Sequence, residues 1–268
     1  MITLVGHGYI GKYIAKELIK QNLHFKWIDH SCVRELGLPW GTQFVINAAG
    51  FTGVPNVDAC ENLKDETIEG NVLFPLLLEQ KAKTIFAPVL HISSGCVYTG
   101  YVDNGWEEED VPNFTFDNGS FYSASKALFQ DLWLEQYAYK SYLFRIRMPF
   151  GSDNDPKNLL TKLKNYDKLI DNVNSLSNVE EVAKSVVYFA LNRPEYGLYN
   201  AVNPTGISTK EIAAVLKLDK EWLTPEEFKS ISVAPRSNCV LNTDKMQAVF
   251  EFKDVYQSLH ETVEKMDK

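Results

Sequence analysis

Tyr122 and Lys126 are the two side chains whose spacing most directly indicates chemistry, because they lie four positions apart in Tyr122-Ser123-Ala124-Ser125-Lys126. Residues i and i+4 share one face of a helix, so the phenol and the amine are expected to lie side by side. A tyrosine with the usual pKa of about 10 is a weak acid–base catalyst at neutral pH, and a nearby cation favours its phenolate. The pair predicts proton transfer by Tyr122; the alternative is a structural tyrosine packed on a lysine stem.

A glycine-rich turn, Gly6-His7-Gly8-Tyr9-Ile10-Gly11, follows an apolar run and opens a helical pattern. Glycines permit a tight turn and a close approach of the backbone to a pyrophosphate, while the helix N-terminus supplies amide donors. Asp29 ends the next predicted strand, where a carboxylate accepts hydrogen bonds from ribose hydroxyls and repels a 2′-phosphate. The turn predicts binding of NAD(H) or NADP(H). Asp29 slightly favours NAD(H), although His30 and Arg34 leave NADP(H) open.

The elements that must position these residues alternate between apolar runs and helical patterns over the first 150 residues. Such alternation predicts βαβ units, and nearly continuous apolar strands are typical of a parallel sheet covered on both faces. The predicted fold is α/β, a Rossmann-like doubly wound parallel sheet over 1–150, with 151–268 mainly a smaller C-terminal substrate lobe whose segments can interleave with it. The predicted strands are 2–5, 24–28, 43–47, 89–92 and 142–146, and the predicted helices are 9–19, 55–83, 120–137, 179–191, 208–216 and 255–265.

The net charge of −8 argues against a nucleic-acid groove or an anionic membrane surface, since both need a basic excess. The four cysteines, Cys32, Cys60, Cys96 and Cys239, form no CxxC pair and no cluster with histidines, so we expect free thiols and no metal site. No signal segment and no apolar stretch of membrane-spanning length is recognisable. We therefore expect a cytoplasmic protein whose partner is a small molecule.

The order of these segments resembles that of the extended short-chain dehydrogenase/reductases. The resemblance rests on the glycine turn, Asn47-Ala48-Ala49-Gly50, Asn71, Ser94 before Val97-Tyr98, Glu108–Pro112, the Tyr122 and Lys126 pair, and Val179–Ala183. It departs at Val5, where the family's first glycine is expected. The resemblance implies that Ser94 bonds the substrate carbonyl, Tyr122 donates a proton and Lys126 holds the nicotinamide ribose. It implies a cofactor pocket formed by Gly6, Gly8, Tyr9, Ile10, Gly11, Asp29, Ala48, Ala49, Gly50, Asn71, Tyr122, Lys126, Met148 and Pro149.

Further segments resemble the nucleotide-4-keto-rhamnose 3,5-epimerase/4-reductases, which make nucleotide-linked L-rhamnose. These segments are Ala48–Asp58, Pro112–Phe114, Gly119–Ser123, Arg145–Pro149, Asn203-Pro204, Arg236–Asn238 and Leu241–Thr243. An additional acid–base pair distinguishes that family from simple reductases, and Cys96 and Lys162 occupy the corresponding positions. Arg236 is expected to meet the substrate pyrophosphate because a guanidinium fork suits phosphate oxygens, and the alternative is a surface salt bridge. The expected pocket residues are Ser94, Gly95, Cys96, Asn158, Lys162 and Arg236.

The Cys96 and Lys162 pair suits 3,5-epimerisation because a ketone at C4 acidifies the hydrogens at C3 and C5. Inversion requires one group to remove a proton and another to return it on the opposite face, which a thiol and a partly buried amine can share. Ser94 and Tyr122 would stabilise the enolate oxygen, and hydride transfer to C4 would then trap the product. The alternative is that Cys96 is a small buried apolar residue and Lys162 a solvated surface lysine.

Two other functions stay open at the level of the sequence. One is a nucleotide-4-keto-sugar reductase or 4-epimerase of the same fold without 3,5-epimerase activity. The other is a non-catalytic NAD(P)-binding sensor, which would not need Ser94, Tyr122 and Lys126 together. A dehydratase is disfavoured because Gly95 and Cys96 stand where that reaction usually has an Asp-Glu pair. Neither UDP nor dTDP is favoured, and a homodimer through the helix that carries Tyr122 is expected by analogy.

Overall fold

The computed structural model describes residues 1–54 and 56–266 and is built on a six-stranded parallel sheet. The strands are β1 (Ile2–Val5), β2 (Phe25–Ile28), β3 (Phe44–Asn47), β4 (Val89–Ser94), β5 (Tyr142–Ile146), β6 (Pro149–Phe150), β7 (Lys168–Ile170), β8 (Val173–Asn174), β9 (Ser177–Asn178), β10 (Gly197–Asn200), β11 (Ile207–Ser208) and β12 (Glu221–Leu223). The sheet has the order β10-β5-β4-β3-β1-β2, and every neighbouring pair is parallel. The predicted Rossmann-like α/β sheet is confirmed.

Helices cover both faces of this sheet. They are α1 (Tyr9–Lys20), α2 (His30–Leu36), α3 (Lys64–Ile68), α4 (Phe74–Lys83), α5 (Phe121–Gln136), α6 (Leu159–Asn165), α7 (Val179–Asn192), α8 (Thr209–Val215), α9 (Pro225–Ile231), α10 (Asp244–Gln247) and α11 (Val255–Met266). Leu4 belongs to a core shared with α1 and α7, whereas the adjacent Val5 packs with α4 on the opposite face. Alternate residues of a strand point to opposite faces, so a strand covered on both sides is apolar throughout.

The segment beyond residue 150 contributes to two regions. Its strand β10 pairs with β5, and α7 packs against the sheet beside α1, so both belong to the nucleotide-binding layer. The remaining elements build a separate apolar core around Phe150, Leu160 and Leu259, which joins α6, α8 and α11. The three short pairs β11–β8, β12–β7 and β6–β9 complete this lobe. The lobe therefore interleaves with the sheet in sequence.

The continuous helix predicted over 55–83 is wrong. Residue 55 lies outside the described residues, Val57–Glu61 is a 3-10 turn, and a π-helical turn over Glu69–Leu73 joins α3 to α4. Pro75 has no backbone N–H to donate to the preceding turn, which favours such a bulge. The π turn also carries Asn71, which bonds to the loop after β3.

The other predicted elements agree with the structure to within two residues at each end. Side-chain caps explain where two long helices begin. Ser120 Oγ accepts a hydrogen bond from Ser123 N at the start of α5, and Asn178 Oδ1 accepts from Glu180 N and Glu181 N at the start of α7. Within the described residues, no helix is both long and apolar enough to cross a bilayer.

Candidate active site

A cavity of about 690 Å3 lies between the carboxyl ends of the central strands and the C-terminal lobe. It lies at the point where the strand order reverses, between β1 and β3, which is where open α/β sheets bind ligands. Most of the residues predicted to form the two pockets lie on its wall. They are Gly8, Tyr9, Ile10, Ala48, Ala49, Gly50, Ser94, Cys96, Tyr122, Lys126, Met148, Pro149, Lys162 and Arg236.

Gly6 and Gly11 shape the turn after β1 instead of lining the cavity. Gly6 has a φ of 101°, and a Cβ at this position would lie 2.6 Å from Ala49 N. A Cβ on Gly11 would overlap the Gly6 carbonyl oxygen, so α1 can approach the turn this closely only with glycine there. Beside Gly8 the space is open, and no side chain caps the start of α1. The turn and the uncapped helix start fit the pyrophosphate of a dinucleotide.

Asn71 holds the loop after β3 in place. Its Oδ1 accepts from Phe51 N at 2.9 Å, and its Nδ2 donates to Phe51 O at 2.9 Å and to Ser125 Oγ at 3.1 Å. The side chain is fully buried and does not line the cavity. A Cβ on Gly50, in the same loop, would lie 3.2 Å from Lys126 Nζ, so the loop presents bare backbone to that amine. Asn71 therefore acts on the pocket through the loop.

Asp29 follows β2, as predicted, but it is engaged in capping α2. Its Oδ1 accepts from Ser31 N at 2.9 Å and from Cys32 N at 3.1 Å. The Ser31 hydroxyl and these amides lower the pKa of Asp29 to about 2, so the carboxylate is charged at neutral pH. Within the described residues no hydrogen bond uses Oδ2, so that oxygen keeps its capacity to accept one.

Tyr122 and Lys126 lie one turn apart on α5, with Lys126 Nζ 5.9 Å from the centre of the Tyr122 ring. That this pairing, together with the positive nicotinamide ring of an oxidised cofactor, favours the phenolate stays a prediction. Burial raises the pKa of Tyr122 above its usual value, the charge of Cys96 adds to the rise, and the Ser94 hydroxyl opposes it. Desolvation prevails because it disfavours the charged form of any enclosed group. A neutral phenol is the form that can donate a proton.

Ser94 and Cys96 lie together where β4 ends, beside Tyr122. The Ser94 hydroxyl accepts a hydrogen bond from Cys96 N at 3.1 Å, and both residues lie on the cavity wall. Both also act on the pKa of Tyr122, which places hydroxyl, thiol and phenol around one volume. Polar donors grouped in this way can stabilise charge that develops on a substrate oxygen.

Lys162 reaches the same cavity from α6 in the lobe, so it is not a lysine on the open surface. Burial lowers the pKa of Lys162, and the positive charges of Lys157 and Arg236 lower it further. Lys157 also lies on the wall, where its Nζ donates to Thr52 Oγ1 at 2.8 Å. An amine with a lowered pKa exchanges protons more readily near neutral pH.

Arg236 lines the cavity while paired with Asp58, with 2.7 Å between its Nη2 and Asp58 Oδ2. The ion pair is partly exposed, so the guanidinium keeps further donors for a phosphate. Two residues predicted for the substrate pocket do not lie on the wall. Asn158 is buried, where it caps α6 at Leu160 N, and a Cβ on Gly95 would lie against Leu241. The polar atoms of Asn158 and Gly95 form hydrogen bonds with other groups of the protein.

Arg147 is the main cavity residue that was not predicted from the sequence. It lines the wall after β5, and its Nη1 lies 3.4 Å from Cys96 Sγ. The sequence contains one sign of this role, because Arg147 is a second arginine directly after an apolar strand. An arginine buried at such a position needs hydrogen-bond partners for its charge. Those partners lie far away in sequence and could not be recognised from local pattern.

The chain matches the RmlD substrate binding domain over residues 6–267. It belongs to this family. A bifunctional dTDP-4-dehydrorhamnose 3,5-epimerase/dTDP-4-dehydrorhamnose reductase of Arabidopsis thaliana is 37% identical over 232 residues, which cover 80% of this chain and 74% of that protein. A trifunctional UDP-glucose 4,6-dehydratase/UDP-4-keto-6-deoxy-D-glucose 3,5-epimerase/UDP-4-keto-L-rhamnose-reductase from the same plant is 33% identical over 275 residues. That match covers 94% of this chain but 40% of the relative, so the chain spans less than half of the trifunctional protein.

Solved structures extend the similarity of this RmlD family member to the whole fold. The UDP-rhamnose synthase of Acanthamoeba polyphaga mimivirus is 25% identical, with a TM-score of 0.89 and 99% of both chains covered. A dTDP-4-dehydrorhamnose reductase of Clostridium acetobutylicum shares the fold at 23% identity and a TM-score of 0.81, over 100% of this chain and 99% of that one. The resemblance found in the sequence is confirmed.

Proposed function

We propose that this RmlD family member converts a nucleotide-linked 4-keto-6-deoxyhexose into nucleotide-linked L-rhamnose. The conversion consists of 3,5-epimerisation followed by NAD(P)H-dependent reduction at C4. The observation that carries the proposal is that Ser94, Tyr122 and Lys126 share one cavity with Cys96 and Lys162. The first three suffice for reduction, so the added thiol and amine favour the bifunctional activity over a simple reductase or a sensor. The activities of the relatives support the same conclusion.

The epimerisation assigned to this site is a pair of proton transfers at C3 and at C5. One of Cys96 and Lys162 removes the proton, the C–H electron pair moves into the ketone, and the C4 oxygen becomes an enolate. The Ser94 and Tyr122 hydroxyls donate hydrogen bonds to that oxygen. The other member of the pair then returns a proton to the opposite face of the carbon. Exchange with water restores both groups for the next inversion.

The reduction uses the residues on the cofactor side of the cavity. When bound, the nicotinamide cofactor supplies the hydride for C4. The Tyr122 phenol donates its proton to the C4 oxygen, and the burial that raises its pKa keeps this proton in place until then. Lys126, facing bare backbone at Gly50, is placed to hold the ribose and to stabilise the phenolate that the transfer leaves.

The test of the proposed function follows two reactions at once. The protein is incubated in D2O with UDP- or dTDP-4-keto-6-deoxyglucose and NADH or NADPH, while nicotinamide absorbance and deuterium at C3 and C5 are measured. Cofactor oxidation with deuterium at both carbons supports the bifunctional enzyme, and the better nucleotide is identified in the same assay. Oxidation without deuterium would leave a reductase, whereas no turnover with either nucleotide would overturn the assignment to rhamnose synthesis.

The lowered pKa of Lys126 predicts how reduction depends on pH. Burial disfavours the ammonium form and lowers the pKa of Lys126 to about 8. The positive charge is present below that value and is lost as the pH rises through it. We therefore expect kcat/KM for the reduction of UDP-4-keto-L-rhamnose to fall above about pH 8, since this parameter reports the free enzyme. A profile that stays level to pH 10 would contradict the assignment.

We also propose that Asp29 favours NADH over NADPH, because its charged carboxylate opposes a 2′-phosphate. Asp29→Asn keeps a side-chain oxygen for capping α2 but removes the charge. The ratio of kcat/KM for NADH to that for NADPH should fall by about tenfold or more. An unchanged ratio with an unchanged melting temperature would mean that Asp29 serves only as a cap.

A further inference from the structure

Arg147 is a buried arginine whose hydrogen bonds anchor it between the sheet and the lobe. The residue is 1% exposed, and its donors reach three distant segments. Nη1 donates to Ser237 Oγ at 2.8 Å, and Nη2 donates to Ser237 O at 2.7 Å and to Asn174 Oδ1. These bonds hold the guanidinium plane in one orientation. In that orientation Nη1 points to Cys96 Sγ at 3.4 Å and to Gly95 O at 3.5 Å.

The charge of Arg147 is not balanced by a carboxylate. Within residues 1–54 and 56–266, no Asp or Glu oxygen lies within 4.0 Å of the guanidinium, and Nε is buried without a hydrogen-bond partner. A buried cation without a counter-ion is unfavourable, because a low-dielectric interior does not replace the lost hydration. Among the acceptors of its hydrogen bonds, Cys96 Sγ is the one that can become an anion.

We propose that Arg147 is a positioning residue for Cys96, and that it fixes the sulfur and supplies the positive charge that pairs with the Cys96 thiolate. The inference rests on the proposed epimerase activity and specifies which member of the pair removes the proton and which returns it. The Cys96 thiolate removes the proton from C3 or C5, and the S–H bond forms as the C–H pair moves into the C4 carbonyl. The Lys162 ammonium returns a proton to the opposite face by breaking one N–H bond. Exchange with water returns a proton to Lys162 and removes one from Cys96.

Epimerisation and reduction should depend differently on Arg147. The hydrogen bonds of the Arg147 guanidinium go to Cys96, Gly95, Asn174 and Ser237, and none goes to Tyr122, Ser94 or Lys126. Loss of the guanidinium should therefore impair proton exchange at C3 and C5 much more than reduction of a substrate that is already epimerised. A purely structural arginine would impair both reactions together.

The test uses Arg147→Met, which removes the charge, and Arg147→Lys, which retains the charge but lacks the planar guanidinium with its two Nη donors. Deuterium exchange at C3 and C5 of UDP-4-keto-6-deoxy-D-glucose should fall about 100-fold in Arg147→Met, as for a displaced catalytic group. Reduction of UDP-4-keto-L-rhamnose should change by less than about threefold. Arg147→Lys should recover part of the exchange. In a Cys96→Ala background, Arg147→Met should cause no further loss of exchange, because the two residues act as a unit.

A second measurement does not depend on turnover. The rate of iodoacetamide alkylation of Cys96 is followed against pH in a Cys32→Ser background, since Cys32 is the other partly exposed cysteine. The profile should move to higher pH in Arg147→Met and to an intermediate position in Arg147→Lys. Should Arg147→Met fail to fold, Ser237→Ala removes one anchor and should move the profile in the same direction. An unchanged profile, or equal loss of exchange and reduction in a folded variant, would overturn the proposal.

The proposed epimerase activity and the proposed role of Arg147 are refuted by different results. A wild-type protein that incorporates no deuterium refutes the proposed epimerase activity. The alkylation profile still reports whether Arg147 stabilises the Cys96 thiolate in that case. Normal exchange in the wild type together with unchanged alkylation in the arginine variants refutes the role of Arg147 alone.

Discussion

Replacing Tyr122 by Phe is expected to reduce the rate of C4 reduction by about 10²–10⁴-fold, the usual contribution of a positioned general acid. The substitution removes the phenolic proton and leaves the ring, which is enclosed among Ser94, Cys96 and Lys126. The loss should appear in kcat for UDP-4-keto-L-rhamnose under saturating NADH, measured by nicotinamide absorbance. Binding of NADH should change little, because the Lys126 amine and the glycine turn are untouched.

Tyr166 provides a matched control for this substitution. It lies on the wall of the same cavity but in the lobe, at the end of α6. Tyr166→Phe removes a phenol from the cavity without altering the cluster around β4, so reduction should stay within about threefold of the wild-type rate. Comparable rates for Tyr122→Phe and the wild type would remove Tyr122 from the catalytic role and leave it as a packing residue.

Cys96→Ser is expected to separate epimerisation from reduction. A serine hydroxyl is far less acidic than a thiol, so deuterium incorporation at C3 and C5 should fall by about 10²–10⁴-fold. Reduction of UDP-4-keto-L-rhamnose should persist, because Ser94, Tyr122 and Lys126 remain. The two activities are measured on separate substrates, by deuterium content for the first and by absorbance for the second.

Cys32→Ser is the control for the loss of a thiol, since Cys32 is partly exposed on α2 and does not line the cavity. Both activities of this variant should match those of the wild type. Retention of proton exchange in Cys96→Ser would show that Cys96 is a structural residue of the pocket. Loss of reduction together with exchange would instead indicate that the substitution disturbs the whole strand end.

The sequence by itself was sufficient for five of the six strands of the central sheet and for the glycine turn, whereas β10 at the edge was not predicted. Both follow from local patterns: a strand covered on two faces must be apolar throughout, and the Gly6 turn needs glycine because of its positive φ. The pairing of Tyr122 with Lys126 likewise follows from the 3.6-residue period of one helix. The helix predicted over 55–83 is interrupted by the 3-10 turn Val57–Glu61 and by the π turn, whose Asn71 bonds Phe51 20 positions away.

The tertiary structure alone determined which side chains meet and how deeply each of them is buried. Burial raises the pKa of Tyr122, and this desolvation depends on everything packed around the phenol. Arg147 lies 51 positions from Cys96 and 90 from Ser237, so no local pattern links them. Periodicity encodes secondary structure within one segment. The surroundings of a charge are set by segments that meet only when the chain folds.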